Sequence, residues 1–315
     1  MSQPKLSLDQ SVSGPESLAA ELVRSLSAGA VVRCHEPLAP RTTLRVGGPA
    51  DLYVEPALEP DLATVLRFCR ARALPLFVLG RGSNLLVKDG GFRGAVVCLA
   101  QPGFCRVEVS GGLLRCGAGA RLKAVATEAR RHGLAGLEFL EGIPGSIGGA
   151  LRLNAGAMGG STFEAVESLR LMDCEGQVRE CPGAEMQAGY RHCPALNGQI
   201  ALSAVLRGRP DSRERIEQRL NQFRRKRWRS QPAAPSAGCA FKNPAALPAG
   251  KLIEELGLKG LRVGGASVSR QHANFIVNDG GATARDILDL IALIQERARA
   301  ERRIELETEV EIIGE

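Results

Sequence analysis

The sequence predicts an α+β fold that is divided into two or three compact units. Between residues 76 and 141, short apolar runs alternate with glycine-rich turns and an occasional helical pattern, which is typical of α+β domains. The 315 residues are 44% hydrophobic and 24% charged, so the chain can bury an ordinary globular interior. A chain of this length is long for one hydrophobic core, and we therefore expect more than one.

The first 75 residues are predicted to contain a tail, two helices and a strand. Residues 1–17 are polar and carry Gln, Ser, Pro and Gly, so we expect a poorly ordered tail. A helix is expected from Pro15 to about Ser27, and a strand at 51–54 follows a turn. A second helix opens at Pro60, and its apolar side chains fall on one face at Leu62, Val65, Leu66 and Cys69.

The rest of the chain is predicted from the same helical and strand periodicities. Two short buried strands are expected on either side of a turn at residues 80–84. We expect further strands at residues 95–99, 106–109, 113–116, 166–172, 178–181, 200–206 and 273–277, and helices at 123–132, 212–229, 250–256 and 284–301. Residues 304–313 alternate strictly, which predicts a last strand with Ile304, Leu306, Val310 and Ile312 on one side and Glu305, Glu307, Glu309 and Glu311 on the other.

Composition argues against several kinds of site. The nine cysteines include no Cys-x-x-Cys pair and the four histidines are not clustered, so we predict no metal site. An odd cysteine count without a signal peptide leads us to expect free thiols in a reducing cytoplasm. No run reaches the ~18 apolar residues of a membrane span. The net charge of +7 fits anionic ligands such as dinucleotides but identifies none.

Two glycine-rich stretches are the strongest functional signals. Residues 142–156 read Gly-Ile-Pro-Gly-Ser-Ile-Gly-Gly-Ala-Leu-Arg-Leu-Asn-Ala-Gly and predict a loop. Glycine lets the backbone approach a ligand closely, and successive N–H groups in such turns bind phosphate oxygens, although a flexible surface loop has a similar composition. Residues 80–84, Gly-Arg-Gly-Ser-Asn, form the tight turn between strands. This turn matches neither a Rossmann fingerprint nor a Walker loop.

These two stretches, together with residues 43–50, Thr-Leu-Arg-Val-Gly-Gly-Pro-Ala, resemble the flavin-binding half of the UDP-N-acetylenolpyruvoylglucosamine reductase family. That family belongs to the FAD-binding superfamily of vanillyl-alcohol oxidase and p-cresol methylhydroxylase. The resemblance runs from about residue 33 to the C-terminus, with the motifs in the family's order. It implies a two-lobed FAD-binding domain at residues 18–75 and 76–211, followed by a C-terminal α+β substrate domain at 212–315. The segment 206–230 is too short for the inserted loop of one branch, so the chain resembles the loop-lacking type.

The resemblance also implies a reaction. In the family, NADPH reduces FAD, and the flavin then reduces the enolpyruvyl ether of UDP-N-acetylglucosamine enolpyruvate to UDP-N-acetylmuramate, in peptidoglycan precursor synthesis in the cytoplasm. This conjugate reduction requires a cation or donor for the carboxylate, an acid for the carbon and a rigidly held flavin. We predict no nucleic-acid, membrane or obligate protein partner.

By the same resemblance, FAD is bound mainly by residues of the three stretches. The implied cofactor-binding residues are Gly47, Gly80, Arg81, Gly82, Ser83, Asn84, Leu85, Gly119, Gly142, Pro144, Gly145, Ser146, Gly148, Gly149, Asn154, Ala155 and Gly156.

Three residues match the family's catalytic positions. Arg191 matches the arginine of a Tyr-Arg motif, and its guanidinium would bind the substrate carboxylate as a bidentate, permanently charged partner. Glu309 matches a glutamate that would polarise the enol or assist proton delivery, and only the resemblance selects it over Glu307. Cys239 stands where the family commonly has the serine that protonates the carbanion. Its thiol, with an ordinary pKa of about 8.5, could replace that serine unless Lys242 and Arg191 ionise it.

Without the resemblance, a surface arginine, a solvated glutamate and a small buried cysteine would be the simpler interpretations of these three residues. Met158 departs from the family because many members have a tyrosine there, which puts an aromatic substrate contact in doubt. Cys193 stands where a serine often follows the Tyr-Arg motif, and His272 is as easily a structural histidine as a ligand contact. The implied substrate-binding residues are Tyr190, Asn243, Gln271 and His272.

Two other functions remain open from the sequence. Another flavoenzyme of the superfamily, such as a sugar or alcohol oxidase, would share the N-terminal half but should lack the combination of Arg191, Cys239 and Glu309. A nucleic-acid-binding protein could use the basic run at residues 224–229, which includes Trp228, although these cations could equally meet a pyrophosphate. A yellow purified protein with flavin absorbance would separate the enzymes from the nucleic-acid-binding protein.

Overall fold

The computed structural model describes residues 14–315, in which helices and short strands are interleaved. The tail predicted for residues 1–17 lies outside the described residues except for 14–17, and a helix already begins at Pro15. None of the helices in this part of the chain is both long and apolar enough to cross a membrane. The α-helices α1 to α8 are Pro15–Val23, Glu59–Ala71, Pro102–Cys105, Leu122–Arg131, Ile147–Arg152, Arg213–Ser230, Ala249–Glu255 and Ala284–Arg302. Short 3-10 helices lie at Ala39–Arg41, Glu138–Gly142, Thr162–Glu164, Gly183–Met186 and Pro194–Leu196.

A four-stranded, a five-stranded and a second four-stranded sheet carry most of the strands. The first sheet has neighbouring strands in the order Val31–Pro37, Pro49–Glu55, Phe92–Cys98 and Leu76–Leu79. The second is antiparallel, in the order Val178–Pro182, Val166–Met172, Ile200–Arg207, Leu113–Gly117 and Val107–Ser110. The third has the order Ser236–Cys239, Phe275–Asn278, Ala266–Val268 and Arg262–Val263. The two-stranded pairs are Gly160–Ser161 with Gly156–Ala157, Arg209–Pro210 with Leu134–Ala135, and Glu311–Ile313 with Leu85–Val87.

Buried side chains form two large clusters and a smaller one. The largest joins the first two sheets, and helix α2 buries in it the apolar face that its periodicity predicts. Helix α6 packs into the same cluster through Ile216 and Leu220. The second cluster surrounds α7 and α8, and it also includes Leu44, Val46 and Leu86 from the N-terminal half of the chain. The boundaries of the three units, 18–75, 76–211 and 212–315, remain predictions.

The last predicted strand, residues 304–313, is wrong for most of its length. Only Glu311–Ile313 is a strand, and it pairs in parallel with Leu85–Val87. The burial alternation is real, since Leu306 and Val310 are buried, but the segment changes partners along its length. Around Glu309 it bonds to the backbone of residues 240–242 instead of a continuous strand. The glutamates also do not share a solvated face, because only 12% of the Glu309 side chain is exposed.

The glycine-rich stretch 142–156 is not a continuous loop as predicted. Residues Ile147–Arg152 form helix α5, which buries Ile147, Ala150 and Leu151. These three side chains have the spacing of one helical face, and their burial outweighs the cost of two glycines in the helix. The stretch therefore presents the N-terminal end of a short helix to its neighbours as well as a turn.

Asp89 connects the N-terminal half of the chain to the start of helix α8. Its two carboxylate oxygens accept hydrogen bonds from the N–H groups of Ala284 and Arg285, at 2.8 and 2.9 Å. The next N–H group, of Asp286, donates to Oγ1 of Thr283 in the predicted capping arrangement. The first three amide groups of the helix are thus all satisfied, two of them by a residue almost 200 positions earlier in the chain.

We expect the substitution Asp89→Ala to lower the free energy of unfolding by about 1 kcal/mol, because two helix N–H groups lose their acceptor. Urea unfolding followed by circular dichroism measures the change. The matched control is Glu305→Ala, which removes an exposed ion pair with Arg299 and should change stability by less than about 0.5 kcal/mol. An Asp89→Ala midpoint equal to that of the control would contradict the capping role.

Candidate active site

Arg191 and Glu309 form an ion pair that is largely buried. Nε of Arg191 donates to Oε1 of Glu309 at 2.5 Å, and 25% and 12% of the two side chains are exposed. The guanidinium carbon lies 4.8 Å from the ring centroid of Tyr190. Neither Nη group of Arg191 makes a hydrogen bond within residues 14–315, so both remain available to a carboxylate.

The backbone of Arg191 is in the left-handed region, with φ of 59°. The turn that holds it is closed by a hydrogen bond of 2.9 Å from the N–H of Gly189 to the carbonyl of His192. Residues other than glycine adopt this conformation rarely, and such strain is concentrated at functional sites. Burial opposes the charge of Arg191, but the adjacent Glu309 carboxylate outweighs it and raises the pKa of the guanidinium.

The thiol of Cys239 lies beside this ion pair. Burial raises the pKa of the Cys239 thiol to about 11, and the charge of Glu309 acts in the same direction. Arg191 and the nearby Asn274 side chain act against this shift without cancelling it. Lys242 does not ionise the thiol, because its ammonium is paired with Glu307 at 3.0 Å. Cys239 is therefore a neutral thiol at pH 7, as an acid requires.

The backbone holds Cys239 and Glu309 next to each other. Gly238, with φ of 79°, turns the chain immediately before the thiol. Past the thiol, the N–H of Glu309 donates to the carbonyl of Ala240 at 2.8 Å, and the N–H of Lys242 donates to the carbonyl of Glu307 at 2.9 Å. These two bonds bracket an antiparallel bridge between Phe241 and Thr308. Two short segments that are about 70 residues apart in sequence thus form one platform that carries two of the predicted catalytic residues, which we call the catalytic platform.

The glycine turn at residues 80–84 is tied to the same platform. Nδ2 of Asn84 donates to the carbonyl of Glu309 at 3.0 Å, and the N–H of Glu311 donates to the carbonyl of Asn84 at 3.0 Å. A hydrogen bond of 3.1 Å from Thr43 to the carbonyl of Gly82 fixes the other side of the turn. A ligand held by this turn is therefore positioned relative to the catalytic groups.

A cleft with a volume of about 630 Å³ begins at this turn. This volume is within the usual range for small-molecule sites. Its walls are mainly apolar and include the strand residues Leu76, Phe77 and Val78. Val78 is 36% exposed, which is unusual for an apolar residue in a strand and is explained by its position on the cleft. Six of the implied cofactor-binding residues line the cleft, namely Gly80, Arg81, Gly119, Ser146, Gly148 and Gly149.

The cleft suits a ligand with a charged pyrophosphate and flat apolar rings. Arg81, Arg121 and Arg152 line it, and none of them has an ion pair within residues 14–315. The two glycine-rich stretches meet closely, because a Cβ atom on Gly80 would lie 3.0 Å from Oγ of Ser146. Several backbone N–H groups of these two stretches donate to no group within residues 14–315, among them those of Arg81, Gly82, Ser83, Ser146 and Gly149. Cations and free amides at one place are the donors that a dinucleotide requires, so these residues fit FAD.

The other implied cofactor-binding residues lie outside the lining of this cleft. Asn154 has a structural environment, since its side chain donates to the carbonyl of Gly189 at 3.1 Å and accepts from the N–H of Phe163 at 3.1 Å. Leu85 is buried in the strand that pairs with the C-terminal strand. The complete set is Gly47, Gly82, Ser83, Asn84, Leu85, Gly142, Pro144, Gly145, Asn154, Ala155 and Gly156.

The implied substrate-binding residues are divided between two places. Tyr190 is 55% exposed beside Arg191. Oδ1 of Asn243 accepts from the N–H of Ala249 at 3.0 Å at the start of α7. Burial lowers the pKa of His272, whose ring packs against Phe275 at 4.8 Å.

The end of helix α6 lies near Gln271, the last of the implied substrate-binding residues. Nε2 of Gln271 donates to the carbonyl of Trp228 at 2.9 Å, and Trp228 itself is 80% exposed. Within the basic run, Arg224 pairs with the buried Glu141 at 2.9 Å. Part of the charge of the run is thus neutralised inside the protein. The described residues contain no cluster of three or more His, Cys, Asp or Glu side chains that could hold a metal ion.

Sequence reasoning missed several residues of the site. No role is predicted for Arg121 or Arg152, which line the cleft, because nothing local to them in the sequence indicates a cleft. The run at 76–79 was predicted as a buried strand, and the following glycine turn was the one available signal that one of its faces meets a ligand. Asn274, beside Cys239, gave no signal of its own.

Comparison with known proteins supports the same assignment. Residues 50–182 match the FAD binding domain family, and residues 231–313 match the family described as UDP-N-acetylenolpyruvoylglucosamine reductase, C-terminal domain. The chain is 45% identical over 282 residues to the UDP-N-acetylenolpyruvoylglucosamine reductase of Pelobacter propionicus, covering 89% of this chain and 95% of the relative. It is 42% identical over 286 residues to that of Clostridioides difficile, covering 90% and 94%.

The fold agrees with a solved structure as well. The crystal structure of UDP-N-acetylenolpyruvylglucosamine reductase from Thermus caldophilus aligns with a TM-score of 0.80 and 39% identity, over 90% of this chain and 100% of that one. Relatives above 40% identity and a solved structure thus agree over nearly the whole described chain. The chain belongs to the UDP-N-acetylenolpyruvoylglucosamine reductase family.

Proposed function

We propose that this protein reduces the enolpyruvyl ether of UDP-N-acetylglucosamine enolpyruvate to UDP-N-acetylmuramate, with FAD as its cofactor and NADPH as its reductant. The observation that carries the proposal is the placement of a neutral thiol, Cys239, beside a guanidinium, Arg191, whose two Nη groups have no hydrogen-bond partner among residues 14–315. A reduced enolpyruvyl group needs both an acid and a carboxylate partner. All nine cysteines are free thiols, which fits a location in the reducing cytoplasm.

The cleft supports a location for the cofactor. We assign the pyrophosphate of FAD to the free N–H groups of the turn at 80–84 and of Ser146 and Gly149, with Arg81, Arg121 and Arg152 nearby. When bound, FAD supplies the hydride, which it takes from NADPH and delivers to the terminal vinyl carbon of the substrate. The turn is hydrogen-bonded to the carbonyl of Glu309 through Asn84, which supports a position for the reacting end of the cofactor near the proposed catalytic residues.

The side chains act on the charge that follows hydride transfer. Negative charge develops on the carbon next to the carboxylate and spreads into the carboxylate oxygens. Arg191 binds these oxygens through its Nη groups, while its Nε–H bond to Glu309 fixes the orientation of the fork. A single preorganised donor of this kind stabilises a transition state by about 2.7–4 kcal/mol.

Cys239 completes the reaction by giving its Sγ proton to the same carbon, and the thiolate regains a proton from solvent. Burial and the charge of Glu309 keep the thiol protonated before the step. Arg191 limits the cost of the thiolate that forms, because it lies close enough to lower the pKa of the thiol. The ion pair therefore serves both the carboxylate and the acid.

Anaerobic stopped-flow absorbance of the bound flavin tests the reaction. The enzyme is reduced with NADPH and then mixed with UDP-N-acetylglucosamine enolpyruvate in the absence of oxygen. We expect the oxidised flavin band to return rapidly. A flavin that stays reduced until air is admitted would instead indicate an oxidase with another substrate, and a protein that binds no flavin would refute the assignment of the cleft.

The same experiment separates the role of Cys239 from the rest of the reaction. We expect Cys239→Ser to retain substantial activity, because the hydroxyl can give a proton from the same position. Cys239→Ala should slow flavin reoxidation by about 10²- to 10⁴-fold, which is the usual contribution of a general acid. Reduction by NADPH should be unchanged in both variants, since the thiol has no part in it. Equal reoxidation rates for the alanine variant and the wild type would rule out the acid role.

A further inference from the structure

Asn274 is almost completely buried next to the catalytic thiol, with 2% of its surface exposed. Its carboxamide makes two hydrogen bonds to one residue of the catalytic platform. The N–H of Phe241 donates to Oδ1 of Asn274 at 3.0 Å, and Nδ2 of Asn274 donates to the carbonyl of Phe241 at 2.8 Å. A side-chain amide that bonds both backbone groups of a residue takes the place of a neighbouring strand.

The carboxamide occupies the point where the sheet ends. The strands Ser236–Cys239 and Phe275–Asn278 pair with a register shift, and the last pair is Cys239 with Phe275. Just past that pair, the N–H of Ala240 donates to the backbone carbonyl of Asn274 at 2.7 Å. The side chain of Asn274 then continues the ladder by one residue. The backbone that follows Cys239 is therefore held at both Ala240 and Phe241 by Asn274.

The same residues hold Glu309. The carbonyl of Ala240 accepts the N–H of Glu309 at 2.8 Å, and Phe241 forms the bridge with Thr308. Asn274 is thus linked to the backbone of Glu309 through Ala240, which is hydrogen-bonded to both residues. Glu309 in turn orients Arg191. Within residues 14–315, the N–H and carbonyl of Phe241 have no other hydrogen-bond partner. Loss of the carboxamide would leave both backbone groups of Phe241, the central residue of the 240–242 segment, without their hydrogen bonds.

We propose that Asn274 is a positioning residue for proton transfer, because its carboxamide fixes the distance between the thiol of Cys239, the carboxylate of Glu309 and the substrate carbon. This inference rests on the proposed function. It predicts that Asn274 matters for the protonation half of the reaction and not for the reduction of the cofactor. Within the described residues its side chain makes no hydrogen bond to the glycine turn and does not line the cleft.

The test uses the holoenzyme of the variant Asn274→Leu, which keeps the volume of the side chain and removes both hydrogen bonds. We expect flavin reoxidation by UDP-N-acetylglucosamine enolpyruvate to fall by about 10²-fold, the loss that follows a displacement of roughly 1 Å at a reacting centre. Flavin reduction by NADPH should stay within about twofold of the wild-type rate. A residue that only supports the fold would lower stability without separating the two half-reactions.

Asn278→Leu is the matched control. Asn278 ends the strand Phe275–Asn278 that directly follows Asn274, and it is 9% exposed. Its carboxamide donates to the carbonyl of Leu44 at 3.1 Å and accepts from the N–H groups of Gly280 and Ala282, away from the platform. The Asn278→Leu variant should be less stable than the wild type, but the rates of both half-reactions should be unchanged. If Asn274→Leu does not fold, Asn274→Asp takes its place, because a carboxylate still accepts the N–H of Phe241 but cannot donate to its carbonyl.

The inference is overturned if flavin reoxidation in the Asn274 variant equals that of the Asn278 control, or if both half-reactions fall in parallel. The wild-type enzyme in the same series distinguishes the two claims. Absence of anaerobic reoxidation in the wild type would contradict the proposed function itself, whereas a normal wild type with an unaffected Asn274 variant would contradict only the positioning role.

Discussion

The pairing of residues 240–242 with residues 307–309 is the constraint on which the rest of the site depends. It consists of two backbone hydrogen bonds, of 2.8 and 2.9 Å, around the bridge between Phe241 and Thr308. Through it, a thiol that follows a glycine turn and a carboxylate near the C-terminus are placed side by side. The pairing interrupts the last strand, so the local irregularity of residues 303–310 is what aims Glu309 into the protein instead of toward solvent.

The ion pair of Arg191 with Glu309 gains its function from partial burial. A buried carboxylate alone would repel the enolate, and a buried guanidinium alone would favour ionisation of the thiol. Together they leave Cys239 neutral, with its pKa raised to about 11, and they present to an incoming carboxylate two Nη groups that are unbonded in the described part of the chain. In the proposed reaction the thiol replaces a hydroxyl as the acid, because its surroundings keep it protonated near pH 7.

Sequence reasoning was strongest where one local rule decides the structure. The buried face of helix α2 and the cap of helix α8 follow directly from side-chain periodicity and from capping chemistry. It failed at residues 304–313, where alternation predicts a strand but the segment has several different partners. Helix α5 was missed because burial of Ile147 and Leu151 outweighs the low helix propensity of glycine.

The site was only partly predictable for a related reason. Glu309 is one of four alternating glutamates, and no property of the sequence distinguishes it without a family resemblance. Tertiary structure brings Arg121 and Arg152 together in the cleft, and it brings Asn274 into hydrogen-bonding contact with Phe241, 33 residues away in sequence. The chemistry of these residues is visible in the sequence, but their common location is set by the packing of distant segments.

The central claim is that Cys239 is a neutral acid in the resting enzyme. The most direct measurement is the pH dependence of alkylation by iodoacetamide, followed at the Cys239 peptide by mass spectrometry. Because only the thiolate reacts, a pKa of about 11 predicts a rate that is still rising well above pH 9. A rate that reaches its plateau near the ordinary thiol pKa of about 8.5, or below it, would show that Cys239 ionises in the working range and would contradict its role as the acid.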